Sequence, residues 1–413
     1  MAVSGQRQTL VLRFADVGVA TYASLRVVGQ PARTVTWVVE EPTLTAAVER
    51  LAAALPDPHG SETQRDAVER AVATGPFASP GAELEIVREL GAQLLSAKAW
   101  QLLADCLRGC GASPRAALFI SPSSRLARVP WAALAMPGEP GEDDVRLIEL
   151  VDVLMAAPPN IVNASRTSFE WEGRRDGPRL LILDPRVPGQ RPDSPLGSVL
   201  GRPSAQTPLA RHFGDLMRRR PVLPDAATAV ELFRRTDAGR GWLAGLLSQA
   251  PSRLLYVGHV TAADGDVGHA DLAALHLADD RPLTASDLMS AKLPFPPRVA
   301  LLACASGGDY QFDEATGLVA AMILCGAQLV TATLWSLPTA AGFRRFASNS
   351  IEPETDPMGD AIMAVDRAHE DSDAGEAVNC WQREQLRRWR DGDLRASPLY
   401  WAALVTYAVD GAR

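Results

Sequence analysis

Arg253-Leu254-Leu255-Tyr256-Val257-Gly258-His259 and, about 45 residues further on, Arg298-Val299-Ala300-Leu301-Leu302-Ala303-Cys304 are the two stretches that decide the fold. Each is a short, unbroken aliphatic run that closes on a small residue and then a reactive side chain. Unbroken apolar character, rather than alternation, is what a strand buried on both faces requires. Three further runs have the same form: 116–120, then 179–183 closing on Asp184-Pro185, and 328–334 closing on Trp335. Helical spacing of apolar residues lies between them, at 226–235, 241–249, 285–290 and 317–324. Strand and helix in alternation predict an α/β layer built on a mostly parallel sheet flanked by helices.

In an open parallel sheet, sites form beyond the carboxyl ends of the strands. If the runs 254–257 and 299–302 are neighbours, His259 and Cys304 emerge at one edge. That pairing suits nucleophilic catalysis. A thiolate attacks, and an adjacent imidazole takes its proton and later returns one to the leaving amine. Ala303, Ala305, Ser306, Gly307 and Gly308 surround the cysteine. Small residues let a peptide backbone approach and leave backbone N–H groups free to face an oxyanion. The N–H groups of Val260 and Cys304 are the candidates for that role. His269 and His276 follow closely in the chain, so a swapped histidine stays open. No G-x-S-x-G elbow, phosphate-binding loop, G-x-G-x-x-G or H-E-x-x-H motif competes.

The chain has 413 residues, enough for two or three domains at roughly 100–200 residues each. Apolar residues make up 47% and charged residues 22%, the balance of a globular protein with sizeable cores. A net charge of -8 weighs against nucleic acid as the main partner, because phosphate binding needs a basic surface. Neither a signal peptide nor a run of roughly 18 apolar residues is evident, which predicts a cytoplasmic protein with no membrane partner. Five cysteines are an odd number and not a disulfide framework. Cys106 and Cys110 read as helix thiols without zinc-ligand spacing, and Cys325 as core. No metal ligand set is expected.

Upstream, 9–14, 20–28 and 33–40 read as strands. Leu44, Val48, Leu51 and Leu55 mark a helix stopped by Pro56, and further helices are expected at about 61–74 and 82–108. These define an N-terminal accessory domain over 1–110, small and β-rich and then helical, followed by a second domain over 111–413. A loop-rich insert, about 166–208, holds two stretches rich in Arg, Gly, Pro, Ser and Asp (166–178 and 185–208). Such a loop suits a lid, a cleavable linker or disorder. The basic run 383–390, with Trp381 and Trp389, reads as a solvated helix face.

An ordered set of motifs then resembles the CHAT family, a branch of the caspase and separase clan of cysteine peptidases. Leu118-Phe119-Ile120-Ser121-Pro122-Ser123, Leu126 and Val129-Pro130-Trp131-Ala132-Ala133-Leu134 are similar to its opening motif. Leu147-Ile148-Glu149 with Val153 is similar to the next strand region. Leu180-Leu181-Ile182-Leu183-Asp184-Pro185 is similar to the first core strand, and Ala226-Ala227-Thr228 to the helix before the histidine strand. The His259 and Cys304 runs fill the two catalytic motifs. Leu275-His276-Leu277-Ala278-Asp279-Asp280 and Leu283–Leu288 are similar to the hairpin and helix between them. Glu314, Gly317-Leu318, Gly326-Ala327 and Thr333-Leu334-Trp335 follow in order. Pro398-Leu399-Tyr400-Trp401-Ala402-Ala403-Leu404 is similar to the closing strand. The set covers roughly 116–411.

The resemblance implies a caspase-like peptidase that cleaves a protein or peptide through a Cys304–His259 dyad and an acyl-enzyme, without metal or organic cofactor. It further implies a regulated effector in a bacterial defence or cell-death-like system, with the N-terminal domain available to a regulatory partner. Clan relatives often read the residue before the scissile bond with acidic groups, for which Asp309, then Asp264, Asp266 and Asp313, are the candidates. The family usually has Gly directly after the histidine; Val260 stands there instead. That departure keeps a second reading open, a catalytically inactive CHAT-fold scaffold or signal-binding switch.

Overall fold

A computed structural model of the chain describes residues 7–110, 115–138, 144–191, 194, 196–261, 270–303, 314–347 and 351–412. Fourteen strands are found among them. In chain order they are β1 (Thr9–Asp16), β2 (Ala20–Val27), β3 (Gln30–Glu40), β4 (Ala117–Ser121), β5 (Asp152–Ala156), β6 (Arg179–Leu183) and β7 (Val222–Leu223). There follow β8 (Arg253–Gly258), β9 (Val260–Thr261), β10 (Ala274–Leu275), β11 (Leu283–Thr284), β12 (Arg298–Ala303), β13 (Leu329–Thr333) and β14 (Leu404–Ala408). Eleven form one sheet in the order β3-β2-β1-β4-β5-β14-β13-β12-β8-β6-β7, and β11-β10-β9 form a small second sheet.

The fold is therefore mixed α/β with a large, mostly parallel central sheet flanked by helices. One antiparallel contact, β13 against β14, separates two parallel blocks. On one side β13, β12, β8, β6 and β7 run in the same direction. Every residue of β6, β8 and β12 is buried, as unbroken aliphatic runs require when helices cover both faces. The helices Pro208–Arg219 and Pro357–Ala368 pack on each other, and the second also packs on β12. Glu314–Leu324 packs on β13 and on the helix Ala285–Ala291. The helix Pro357–Ala368 runs against the strands. Its C-cap residue, His369, gives its carbonyl to Arg298 at the start of β12.

The three N-terminal strands extend this same sheet. β1 lies parallel to β4, with Leu10 opposite Leu118 and Leu12 opposite Ile120, and all four side chains are buried in the common core. The boundary expected near residue 110 thus falls between strands that are hydrogen-bonded neighbours. Gly18 and Gly29, at φ 87° and 79°, make the reversals β1–β2 and β2–β3, where left-handed backbone is needed.

Three local expectations are corrected. The helix over 226–235 is only a 3-10 turn, Ala229–Leu232. Glu231 takes the Ala227 N–H and the Thr228 hydroxyl, and Phe233 bridges to Leu183 beside β6. The helix over 82–108 is two, Pro80–Leu94 and Ala97–Cys110, because Leu95 is extended and Ser96 accepts the Ala99 N–H to start the second. The closing strand over 398–404 is a short helix, Pro398–Trp401, followed by β14. Ser397 caps that helix and Pro398 supplies a preset first turn.

Candidate active site

β8 and β12 are hydrogen-bonded neighbours, parallel and in register from Arg253 opposite Arg298 to Gly258 opposite Ala303. Each chain's next residue is the one singled out by its chemistry, His259 after Gly258 and Cys304 after Ala303. His259 is described and buried. Cys304, His269, Asp264, Asp266, Asp309 and Asp313 lie outside the described residues.

The backbone of His259 is fixed from below. The Tyr256 hydroxyl is 2.7 Å from the His259 carbonyl and 2.9 Å from the His276 carbonyl, and its one proton serves the two. The His276 N–H donates to the His259 carbonyl at 3.0 Å. Glycine at 258 makes room for this. A Cβ there would meet the Tyr256 hydroxyl oxygen at 2.7 Å, well inside contact distance.

The imidazole is oriented from the side. Nε2 of His259 lies 3.1 Å from the Gly197 carbonyl, which can only accept. Nε2 therefore carries the proton, and in the neutral ring the lone pair resides on Nδ1. Gly197 belongs to the loop expected over 185–208, which contains no helix or strand among the described residues before Pro208. That loop is consequently part of the site. Its carbonyl also accepts from Arg234 Nη1 at 2.9 Å, and Arg234 Nη1 lies 3.2 Å from Asp184 Oδ1. Asp184, fully buried at the end of β6, receives the Ser198 hydroxyl at 2.7 Å and the N–H groups of Val199 and Leu200 at 3.2 and 3.3 Å.

Val260 is buried and opens β9, paired with Leu275 of β10. It is not among the residues with positive φ, and extended backbone is where a β-branched side chain is at ease. His276, the alternative histidine, is also buried, and its Nε2 lies 3.1 Å from the Thr261 hydroxyl. Burial first, and the proximity of His259 second, pull its pKa down to about 4, so it stays neutral near pH 7. Cys325 gives the contrasting thiol. It bonds the Leu288 carbonyl, and burial raises its pKa to about 11, which leaves it protonated and unreactive.

A CHAT-domain family profile matches residues 85–409. The chain belongs to the CHAT-domain family. The CHAT match begins within the helix Pro80–Leu94, and so takes in the rest of that helix and the helix Ala97–Cys110. No curated protein matches the chain. Among solved structures, the chain is similar to the Saccharomyces cerevisiae separase–securin complex at 3.0 Å resolution, with 11% identity and a TM-score of 0.44 over 98% of this chain and 30% of that one. The same complex at 2.6 Å gives 11% identity and a TM-score of 0.45 over 97% and 30%. The CHAT chain thus spans about 30% of the length of these structures.

Among the described residues of this CHAT protein, no group of three or more His, Cys, Asp or Glu side chains is arranged to hold a metal ion. No described helix is long and apolar enough to cross a membrane. The basic run 383–390 is largely ion-paired. Arg383 meets Asp152, Arg388 meets Asp393 and Arg390 meets Glu149, while Trp389 is buried. Sequence reasoning missed Gly197, Arg234 and Tyr256. Only Asp184-Pro185, a carboxylate closing a buried strand, carried a legible signal.

Proposed function

We propose that this chain is a cysteine endopeptidase in which Cys304 is the nucleophile and His259 the base. The observation that carries the reading is the register of β8 and β12, which ends with Gly258 opposite Ala303, one residue before each reactive side chain. The hydrogen bond from His259 Nε2 to the Gly197 carbonyl supports it, since it leaves Nδ1 as the basic nitrogen.

In the proposed reaction, the Cys304 thiol gives its proton to His259 and the thiolate adds to a peptide carbonyl. The oxyanion that forms is met by the N–H groups of Val260 and Cys304. The imidazolium then protonates the leaving amine as the C–N bond breaks, and water hydrolyses the acyl-enzyme with His259 as base. The substrate is a protein or peptide. The whole acts as a regulated effector in a bacterial defence or cell-death-like system, with residues 1–110 open to a regulatory partner.

The test is labelling of the full chain with peptide acyloxymethyl ketones carrying Arg, Lys, Leu or Asp next to the warhead, read by intact mass and site mapping. Labelling confined to Cys304 and lost in His259→Ala is expected, and the preferred peptide reveals which side chain the site accepts. A folded protein whose Cys304 reacts no faster than Cys325 would sink the reading in favour of an inactive scaffold.

A further inference from the structure

We infer that Asp184 and Arg234 are positioning residues, an ion pair of a fully buried carboxylate and a half-buried guanidinium that clamps the Gly197 carbonyl onto His259; the inference rests on the dyad reading above. A loop of more than twenty residues joins β6 to the helix Pro208–Arg219. A free loop of that length would hold one carbonyl against an imidazole only at a large entropic cost. The structure concentrates that cost at one point. Asp184 takes three donors from consecutive residues just past Gly197, the Ser198 hydroxyl and the Val199 and Leu200 N–H groups. Arg234 closes the ring, touching both the Asp184 carboxylate and the Gly197 carbonyl through one nitrogen.

Two features mark this as a built device rather than an incidental contact. Asp184 and Arg234 both hold left-handed backbone, with φ 51° and 54°. For residues other than glycine that conformation is strained and persists only where surroundings impose it. Both backbones are tied down. The Asp184 N–H donates to the Val257 carbonyl of β8, and the Arg234 N–H to the Leu183 carbonyl of β6. The clamp is therefore anchored to the strand that precedes His259.

The arrangement also sets the electrostatics. Gly197 offers two lone pairs and both are engaged, by a cation and by the imidazole N–H. A guanidinium on that carbonyl would oppose a second positive charge on His259, and the buried carboxylate of Asp184 balances it. Loss of Arg234 leaves the fully buried Asp184 carboxylate without its cation.

The test uses the full chain and two readouts. The first is the proton resonance of His259 Nε2 in protein carrying ¹⁵N-labelled histidine. The second is the inactivation rate constant for acyloxymethyl ketone labelling of Cys304, separated from the probe's binding constant. Arg234→Met is expected to lose the Nε2 proton signal to solvent exchange and to slow inactivation at least tenfold with binding unchanged. Arg234→Lys should restore part of both. Asp184→Asn, which keeps an acceptor for the loop but removes the charge, should move both in the direction of Arg234→Met. Ser198→Ala is the variant to use if the others do not fold, with a weaker signal and a smaller slowing expected. A folded Arg234→Met protein with the Nε2 signal and inactivation rate of the parent overturns the inference, as does an unaltered Ser198→Ala protein where the others fail to fold. If His259→Ala leaves labelling unchanged, the dyad reading fails instead, and the Nε2 signal still decides the clamp.

Discussion

The strands β6, β8 and β12 carry polar machinery at both ends, and the two ends differ in kind. At their amino ends, Arg179, Arg253 and Arg298 stand side by side in register, all buried. Arg179 makes a two-pronged pair with Glu370 at 2.9 and 2.8 Å, and Arg253 meets Asp366 and Glu370. Arg298 donates to the carbonyls of His369, Asp371 and Ser372, just past the C-terminus of the helix Pro357–Ala368, and lies 3.8 Å over the Trp171 ring. A cation is favoured at that helix end. At the carboxyl ends stand Asp184, His259 and the loop that returns to them. The amino end is closed on itself, with its charges matched to fixed partners. At the carboxyl end, His259 Nε2 donates to the Gly197 carbonyl of that loop, which sets the lone pair of the neutral ring on Nδ1.

The largest effect should come from the carboxyl end and be chemical. His259→Ala is expected to slow Cys304 labelling by ~10²–10⁴-fold, the usual worth of a general base, with little change in thermal midpoint. Labelling kinetics and calorimetry on the same preparation check both halves. The mirror-image change is Arg253→Met at the amino end. It strands Asp366 without its main cation and should destabilise the fold by about 3–5 kcal/mol, measured by urea unfolding. The folded fraction should still label Cys304 at the parental rate. A large stability loss in the first variant, or a large rate loss in the second, would break the division between the two ends.

pH gives a smaller and graded effect. His369, at the amino end, is pulled down to about 3, by burial first and then by Arg253 and Arg298. His276, at the carboxyl end, is pulled down to about 4. Both are neutral in the fold, whereas in the unfolded chain they titrate near 6.5. Below that value the unfolded chain binds protons that the fold refuses. Stability is then lost as pH falls from about 6.5 towards 4, by ~1.4 kcal/mol per unit for each histidine. Asp366 and Glu370 are held below the usual carboxylate range; burial opposes this, and His212, Arg253 and Arg179 outweigh it. Their contribution is present above pH ~4 and is lost only on further acidification. His369→Gln should flatten the upper window, seen as a thermal midpoint that changes less between pH 7 and pH 4.5. The smallest effect is expected for Thr207→Ala. Its hydroxyl caps the helix Pro208–Arg219 by accepting the Ala210 N–H. Removing the cap should cost about 1 kcal/mol and leave labelling unaltered.

The sequence by itself determined the buried parallel strands and their order of chemistry. An aliphatic run of five or six residues has few ways to hide both faces, so β6, β8 and β12 were legible from composition alone. The ordered motifs pointed to the CHAT family, and the proposed Cys304–His259 pair was read from what closes each run. Local turn chemistry was less legible. The stretch 226–235 has helical spacing, but its side-chain bonds and the pairing of Phe233 with Leu183 hold it as a 3-10 turn beside β6. Tertiary structure alone decided the rest. That β1 joins β4 across the expected boundary depends on two strands more than a hundred residues apart. That Gly197 meets His259 depends on a contact across 62 positions, made through a backbone carbonyl. Every residue has such a carbonyl, so no residue type announces it. Arg234 reads in the sequence as one more surface arginine. Only the folded chain brings it between Asp184 and Gly197, where it donates to the carbonyl that meets the imidazole.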